Sequence, residues 1–175
     1  YMFKHCSSFN RSLNSWNVKK VKSMECMFSG CVKFSKPIDL WKPLSCTTTF
    51  DMFRFCEKFN RSIETWKIPK MKTMSRMFEY SKYNSPIEKL DISNVEEMYD
   101  MFHGSEFNQP VNNWDVSNVK FLGGVFRNCS HFNQPLDKWD VSNVRDLSSL
   151  FANCKKFNQP LNTWNIKNVR CVYDM

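Results

Sequence analysis

The chain has 175 residues, 42% of them hydrophobic and 24% charged. That balance excludes an intrinsically disordered chain, and no run of 18 apolar residues is present to form a membrane-spanning helix. The formal net charge of +8 makes acidic surfaces and polyanions candidate partners.

The chain opens at Tyr1-Met2-Phe3, with no initiating Met and no signal peptide, and reads as an internal piece of a longer protein. Ala152 is the only alanine, Gly numbers four, and Lys, Asn and Phe are abundant. This usage points to coding from an AT-rich genome, such as that of a mollicute, a giant virus or some protists.

Phe3 begins a series that continues through Phe28, Phe53, Phe78, Phe102, Phe126 and Phe151, every 24 or 25 residues. A second ring series follows it as Phe9, Phe34, Phe59, Tyr83, Phe107, Phe132 and Phe157. A third reads Trp16, Trp41, Trp66, Leu90, Trp114, Trp139 and Trp164. Three aromatic series in phase define an internal repeat. One unit reads M-F-x-x-C-x-x-F-N-Q-P-L-x-x-W-x-V-S-N-V-x-x-M-x-x, clearest from Phe126 to Ser149.

Units of this size cannot enclose a core alone, so they must stack like on like. The W-x-V segment alternates by two and predicts a short strand, paired in parallel with its neighbours. Asn-Gln-Pro before it and Ser-Asn after it are turn chemistry. The V-x-x-M-x-x-M-F run repeats by three and predicts a helical or 3₁₀ turn. Together these predict one repeat solenoid over residues 1–175, with seven units of 24–25 residues.

Three units depart from the pattern. From Trp41 to Phe50, Pro43 falls near the strand and Cys46-Thr47-Thr48-Thr49 replaces the usual Val and Met. The next departures are Phe78 to Tyr83 and Phe102 to Phe107, which are five apart where the other ring pairs are six. These two units carry Ser81 and Ser105 where most carry Cys, and the deletion is expected to alter local curvature.

Phe132-Asn133-Gln134-Pro135-Leu136, Trp139-Asp140-Val141-Ser142-Asn143-Val144 and Leu150-Phe151 resemble the BspA-like leucine-rich-repeat surface proteins, in their 25-residue variant. The resemblance covers the whole chain and is most specific in units four to seven. Units one to three carry Asn10-Arg11-Ser12, Ser35-Lys36-Pro37 and Asn60-Arg61-Ser62 in place of Asn-Gln-Pro. It implies a leucine-rich-repeat-like solenoid, adhesion or protein binding, and a place on a cell surface or virion. It implies no catalytic residues and no cofactor.

Cys6, Cys31, Cys56, Cys129 and Cys154 share one repeat position. Metal binding and disulfides are the functional alternatives, but no C-x-x-C pair occurs and thiols in a row do not make a tetrahedron. The expectation is reduced, metal-free thiols acting as small buried hydrophobes, which suits a reducing folding compartment. Cys46 takes a core position, whereas Cys26 and Cys171 fall off the pattern and are expected at the surface. His5, His103 and His131 share no repeat position, and no phosphate loop or H-E-x-x-H motif is present, so no enzyme is predicted.

Phe28, Phe53, Phe126, Phe151, Phe132, Phe157, Trp114, Trp139 and Trp164 are expected in the core. Residues 1–89 carry a net charge of +10 and residues 90–175 a net charge of −2. The column after S-N-V reads Lys22, Thr47, Lys72, Glu96, Lys120, Arg145 and Arg170, and the column before the second ring includes Lys33, Lys58 and Lys82. Lys22, Arg61, Lys72, Lys33, Lys58 and Lys82 form the predicted basic binding stripe. The function expected is a non-enzymatic interaction or structural scaffold. Its partners would be other proteins, acidic surfaces or repeats of the same kind. A cell-surface adhesin and a nucleic-acid-binding solenoid are the alternatives. Neither end carries a polar capping unit, so more repeats, caps or a partner are expected to cover the ends.

Overall fold

The structure, a computed structural model, describes residues 1–175. Each repeat forms one coil, and the coils stack in register. Parallel one-residue bridges join Ser23 to Thr48, Thr48 to Thr73, Thr73 to Glu97, Glu97 to Phe121, Phe121 to Asp146 and Asp146 to Cys171.

The strand and the helical or 3₁₀ turn expected in each unit are not formed. The backbone consists of turns and these single bridges, with no helix and no extended strand, so a leucine-rich-repeat-like solenoid is the wrong description. The destination of the amides explains why. Met27, Ser29 and Cys31 donate N–H to the carbonyls of Met24, Cys26 and Phe28 in their own coil. The intervening Cys26, Phe28 and Gly30 donate to Phe50, Met52 and Arg54 in the next coil. A 3₁₀ run needs consecutive donors within one segment, and here every second donor leaves the coil.

The alternation also demands left-handed backbone at two positions per coil. One row holds Cys26, Asp51, Arg76, Asp100, Gly124, Ser149 and Asp174, and the other His5, Gly30, Phe55, Tyr80, Gly104, Asn128 and Asn153, all at positive φ. Asn, Asp, His and Gly fill nine of these fourteen sites, as the low cost of φ > 0 for those residues predicts.

Around the tryptophans, turns replace the expected strand: Trp66 N–H bonds to Ile63 O and Trp139 N–H to Leu136 O within one coil. Side chains make the connections between coils on this side. The indole N–H groups of Trp41, Trp66, Trp114, Trp139 and Trp164 donate to the carbonyls of Leu13, Ile38, Ile87, Val111 and Leu136 at 2.8–3.2 Å. Asn118, Asn143 and Asn168 reach back to Ser93, Ser117 and Ser142 carbonyls in the same way. The asparagine of F-N-Q-P is likewise a rung. Asn84 Oδ1 accepts from Asn108 N–H, Asn108 Oδ1 from Asn133 N–H, and Asn133 Oδ1 from Asn158 N–H.

Forty-seven buried residues form one continuous core. Phe28, Phe53, Phe126 and Phe132 are fully buried, Trp114, Trp139 and Trp164 are buried, and Phe151 and Phe157 are half-buried. Within a coil the two rings lie close, as with Phe126 and Phe132 at 3.8 Å, and the next coil repeats the ring at about 6 Å, as with Phe126 and Phe151 at 6.1 Å. Each buried ring contributes roughly 2 kcal/mol of transfer free energy.

The two short units are accommodated locally. In four full-length units the N–H of the second ring residue (Phe9, Phe34, Phe132 and Phe157) bonds to the Cys carbonyl three residues before it. With one residue missing, Tyr83 and Phe107 N–H bond instead to the hydroxyls of Ser81 and Ser105 at 3.2 Å. Deletion and serine therefore belong together. In the irregular unit, Cys46 is buried and donates to Thr48 O, while Thr47 N–H bonds to Lys22 O and keeps the register. No helix is long and apolar enough to cross a membrane.

Candidate functional site

With the apolar rows turned inward, chemistry is left to the outer rows. The row Lys22, Thr47, Lys72, Glu96, Lys120, Arg145 and Arg170 is a continuous backbone ladder in which each N–H after Lys22 donates to the preceding rung's carbonyl at 2.8–2.9 Å. Side chains on this row are thus held at the pitch of the coils. Its centre is a carboxylate clamp: Glu96 receives Lys120 Nζ at 2.6 Å and Lys72 Nζ at 2.8 Å. The hydrogen bond from Lys120, then that from Lys72, holds the Glu96 carboxyl down to about 2. Two coils on, Arg145, Lys167 and Arg170 line a cleft of about 380 Å³ with Asn143 and Asn168.

A second outer region lies beside the left-handed rows. Arg54 Nε meets Glu79 Oε2 at 2.6 Å, and Arg76 Nε meets Glu79 Oε2 at 2.8 Å and Asp51 Oδ1 at 3.1 Å. His103 Nδ1 faces Glu79 at 3.4 Å and Asp100 at 3.5 Å. Burial opposes the charge on Glu79, but hydrogen bonds from His103 and Arg76 outweigh it and lower its pKa. Burial raises the pKa of Asp51 and Asp100 against the pull of their cationic neighbours. Phe55 and Tyr80 stack at 5.4 Å above this network and are about two-fifths exposed. Gly104 gives Tyr80 its room, since a Cβ there would meet the ring at 2.6 Å.

The predicted basic stripe is not one continuous surface. Lys22 and Lys72 share the ladder row with Thr47 between them, and Lys72 is engaged by Glu96. Lys33, Lys58 and Lys82 occupy the separate row before the second ring, where Lys82 pairs with Glu106 at 3.6 Å. Arg61 joins neither row and donates Nε–H to Ser35 O at 2.9 Å, beside the asparagine ladder.

The thiols also sort by position. Cys31, Cys56, Cys129 and Cys154 donate Sγ–H to the carbonyls of Phe3, Phe28, Phe102 and Phe126 at 2.7–3.0 Å. Burial pushes Cys31 and Cys154 up to about 11 and Cys129 to about 12. Cys6 is exposed and Cys171 partly so. Cys26, expected at the surface, is buried at a left-handed position with Sγ 4.0 Å from Asp51.

The Asp51–Arg54–Arg76–Glu79–Asp100–His103 network escaped the linear reading because its members come from three coils. Aligned by rows, the signal is visible: Asp51, Arg76 and Asp100 alternate in sign along one row, and Arg54 and Glu79 oppose them along the neighbouring row, which continues to His103. A family model described as "Mycoplasma protein of unknown function, DUF285" matches residues 1–86 and residues 72–175. No curated protein and no solved structure matches the chain.

Proposed function

For this chain, which belongs to the DUF285 family, we propose the function of a non-enzymatic interaction scaffold that presents rows of side chains to partner proteins. The observation carrying this reading is the division of labour within each coil. Inner rows repeat the same residue type from coil to coil, while the outer ladder row changes from Lys to Thr, Glu and Arg on a regular backbone pitch. A surface whose spacing is constant and whose chemistry varies suits recognition, since complementary charge sets partner choice and register. The linear motif resembling BspA-like surface proteins favours an adhesive role at a cell surface. The geometry of leucine-rich repeats is no part of the proposal.

Binding by the purified full chain tests it. Fluorescence anisotropy with labelled acidic peptides, a sulfated glycan and duplex DNA, each at two salt concentrations, compares the ligand classes. Saturable binding of peptide or glycan that is lost on changing outer-row residues supports the scaffold. Exclusive retention of DNA with a steep salt slope supports a nucleic-acid-binding role instead. Turnover of a substrate by the chain would overturn the non-enzymatic reading.

A further inference from the structure

The ladder row carries cations in two settings, on either side of a carboxylate rung at its centre and on adjacent rungs further along. At Lys72–Glu96–Lys120, two ammonium groups from flanking rungs close on a carboxylate at 2.8 and 2.6 Å. Further along the same row, Arg145 and Arg170 are successive rungs. Arg145 N–H is bonded to Lys120 O and Arg170 N–H to Arg145 O, both at 2.8 Å. Lys167 adds a third cation at the cleft of about 380 Å³, and none of the three pairs with a carboxylate of the chain.

Like charges held on adjacent rungs repel one another, and an anion set across them relieves that repulsion. Guanidinium groups bind planar oxyanions through paired N–H donors, more specifically than ammonium groups do. The Glu96 clamp shows that long cationic side chains on this row can converge on a carboxylate. The surrounding half of the molecule, residues 90–175, has a net charge of −2. A long polyanion would be repelled there, whereas one acidic side chain need only meet the local cations.

We propose that the cleft of Arg145, Lys167 and Arg170 docks the carboxylate of an acidic segment in a partner protein. This assignment rests on the interaction-scaffold reading and adds the location and chemistry of one contact. The test uses the full chain and a rhodamine-labelled peptide that carries one glutamate among neutral residues, at low salt. Replacing both arginines, as R145E/R170E, should weaken binding at least tenfold with an unchanged thermal transition. Should the reversal disturb folding, R145Q/R170Q should weaken binding in the same direction. Glu96→Gln, which releases Lys72 and Lys120, should create a second site and raise the stoichiometry.

Peptide binding that survives both arginine variants but is lost on altering another outer row would overturn this site and leave the scaffold reading standing. No peptide binding by the wild type would also overturn the site. So would tighter binding of duplex DNA or inorganic phosphate through Arg145 and Arg170.

Discussion

The Tyr99 hydroxyl donates to Asp146 Oδ2 at 3.0 Å across 47 residues, reaching past the intervening coil. The ring lies on Phe121 at 5.3 Å and over Gly123, where a Cβ would stand 2.9 Å from Tyr99 Cε1. Three coils are thereby tied by one side chain. Gly123→Ala should cost about 1 kcal/mol by displacing the ring, within the range for overpacking. In a Tyr99→Ala background that cost should vanish. A double-mutant cycle by urea unfolding measures the coupling, and equal costs in both backgrounds would detach Gly123 from the tyrosine.

The second-ring row yields two substitutions of opposite sign. Phe132 is fully buried against Phe126, so Phe132→Ala should cost about 3–5 kcal/mol. Tyr83 occupies the same row with its hydroxyl buried and without a hydrogen-bond partner, and burial pushes its pKa far up. Tyr83→Phe should therefore stabilise by about 1 kcal/mol, the desolvation penalty of an unpaired hydroxyl. Denaturant melts of both variants check the signs.

Left-handed positions should respond to glycine in a predictable way. Ser149 has φ 54°, and Ser149→Gly should gain about 0.5 kcal/mol, the αL relief exceeding glycine's entropy cost. Gly104→Ala should lose about 2 kcal/mol, because a left-handed φ of 67° combines with the close approach of Tyr80. Thermal unfolding of the two variants should shift in opposite directions.

The Glu96 clamp and the aspartates Asp51 and Asp100 predict opposite pH effects. Glu96 is depressed to about 2 from 4.5, so its contribution is present above about pH 4.5 and is lost as pH falls toward 2. Asp51 and Asp100 are raised from 3.8, so any stability they gain by protonation is lost as pH rises through their folded values. Carboxyl NMR titration should place Glu96 well below Asp51 and Asp100. Lys120→Met should move Glu96 back toward the ordinary carboxylate range.

Thiol reactivity should follow position in the stack. A maleimide applied to the native protein should label Cys6 and then Cys171, while Cys31, Cys56, Cys129 and Cys154 should resist until denaturant is added. Mass mapping of labelled peptides reads the order, and early labelling of Cys56 would contradict its burial.

The ring and tryptophan rows were legible in the sequence because their spacing alone places Phe28 on Phe53 and Trp139 on Trp164. The local backbone was not. A spacing of three apolar residues fits a 3₁₀ turn and an alternating run of turns equally well, and the difference lies in Phe28 N–H bonding to Met52 O, a partner in the next coil. Likewise, Asn-Gln-Pro reads as turn chemistry, yet Asn108 Oδ1 serves as a rung for Asn133. Charges were visible as rows, but their pairing was not, since Glu79 draws partners from three coils.

The bonding between coils has a mechanical consequence. From Met24 to Gly30 every second amide is bonded to the following coil, and on the ladder row each amide after Lys22 is bonded to the preceding one, so an inner coil is tied to both neighbours. A pull on the chain ends would load one coil's row of bonds at a time, and the molecule would unravel in steps. Each step would release about 24–25 residues of chain, or roughly 80–90 Å of contour length at full extension. A single molecule stretched between two surfaces would then yield in a regular sawtooth, a tether able to lengthen severalfold before its last coil is lost.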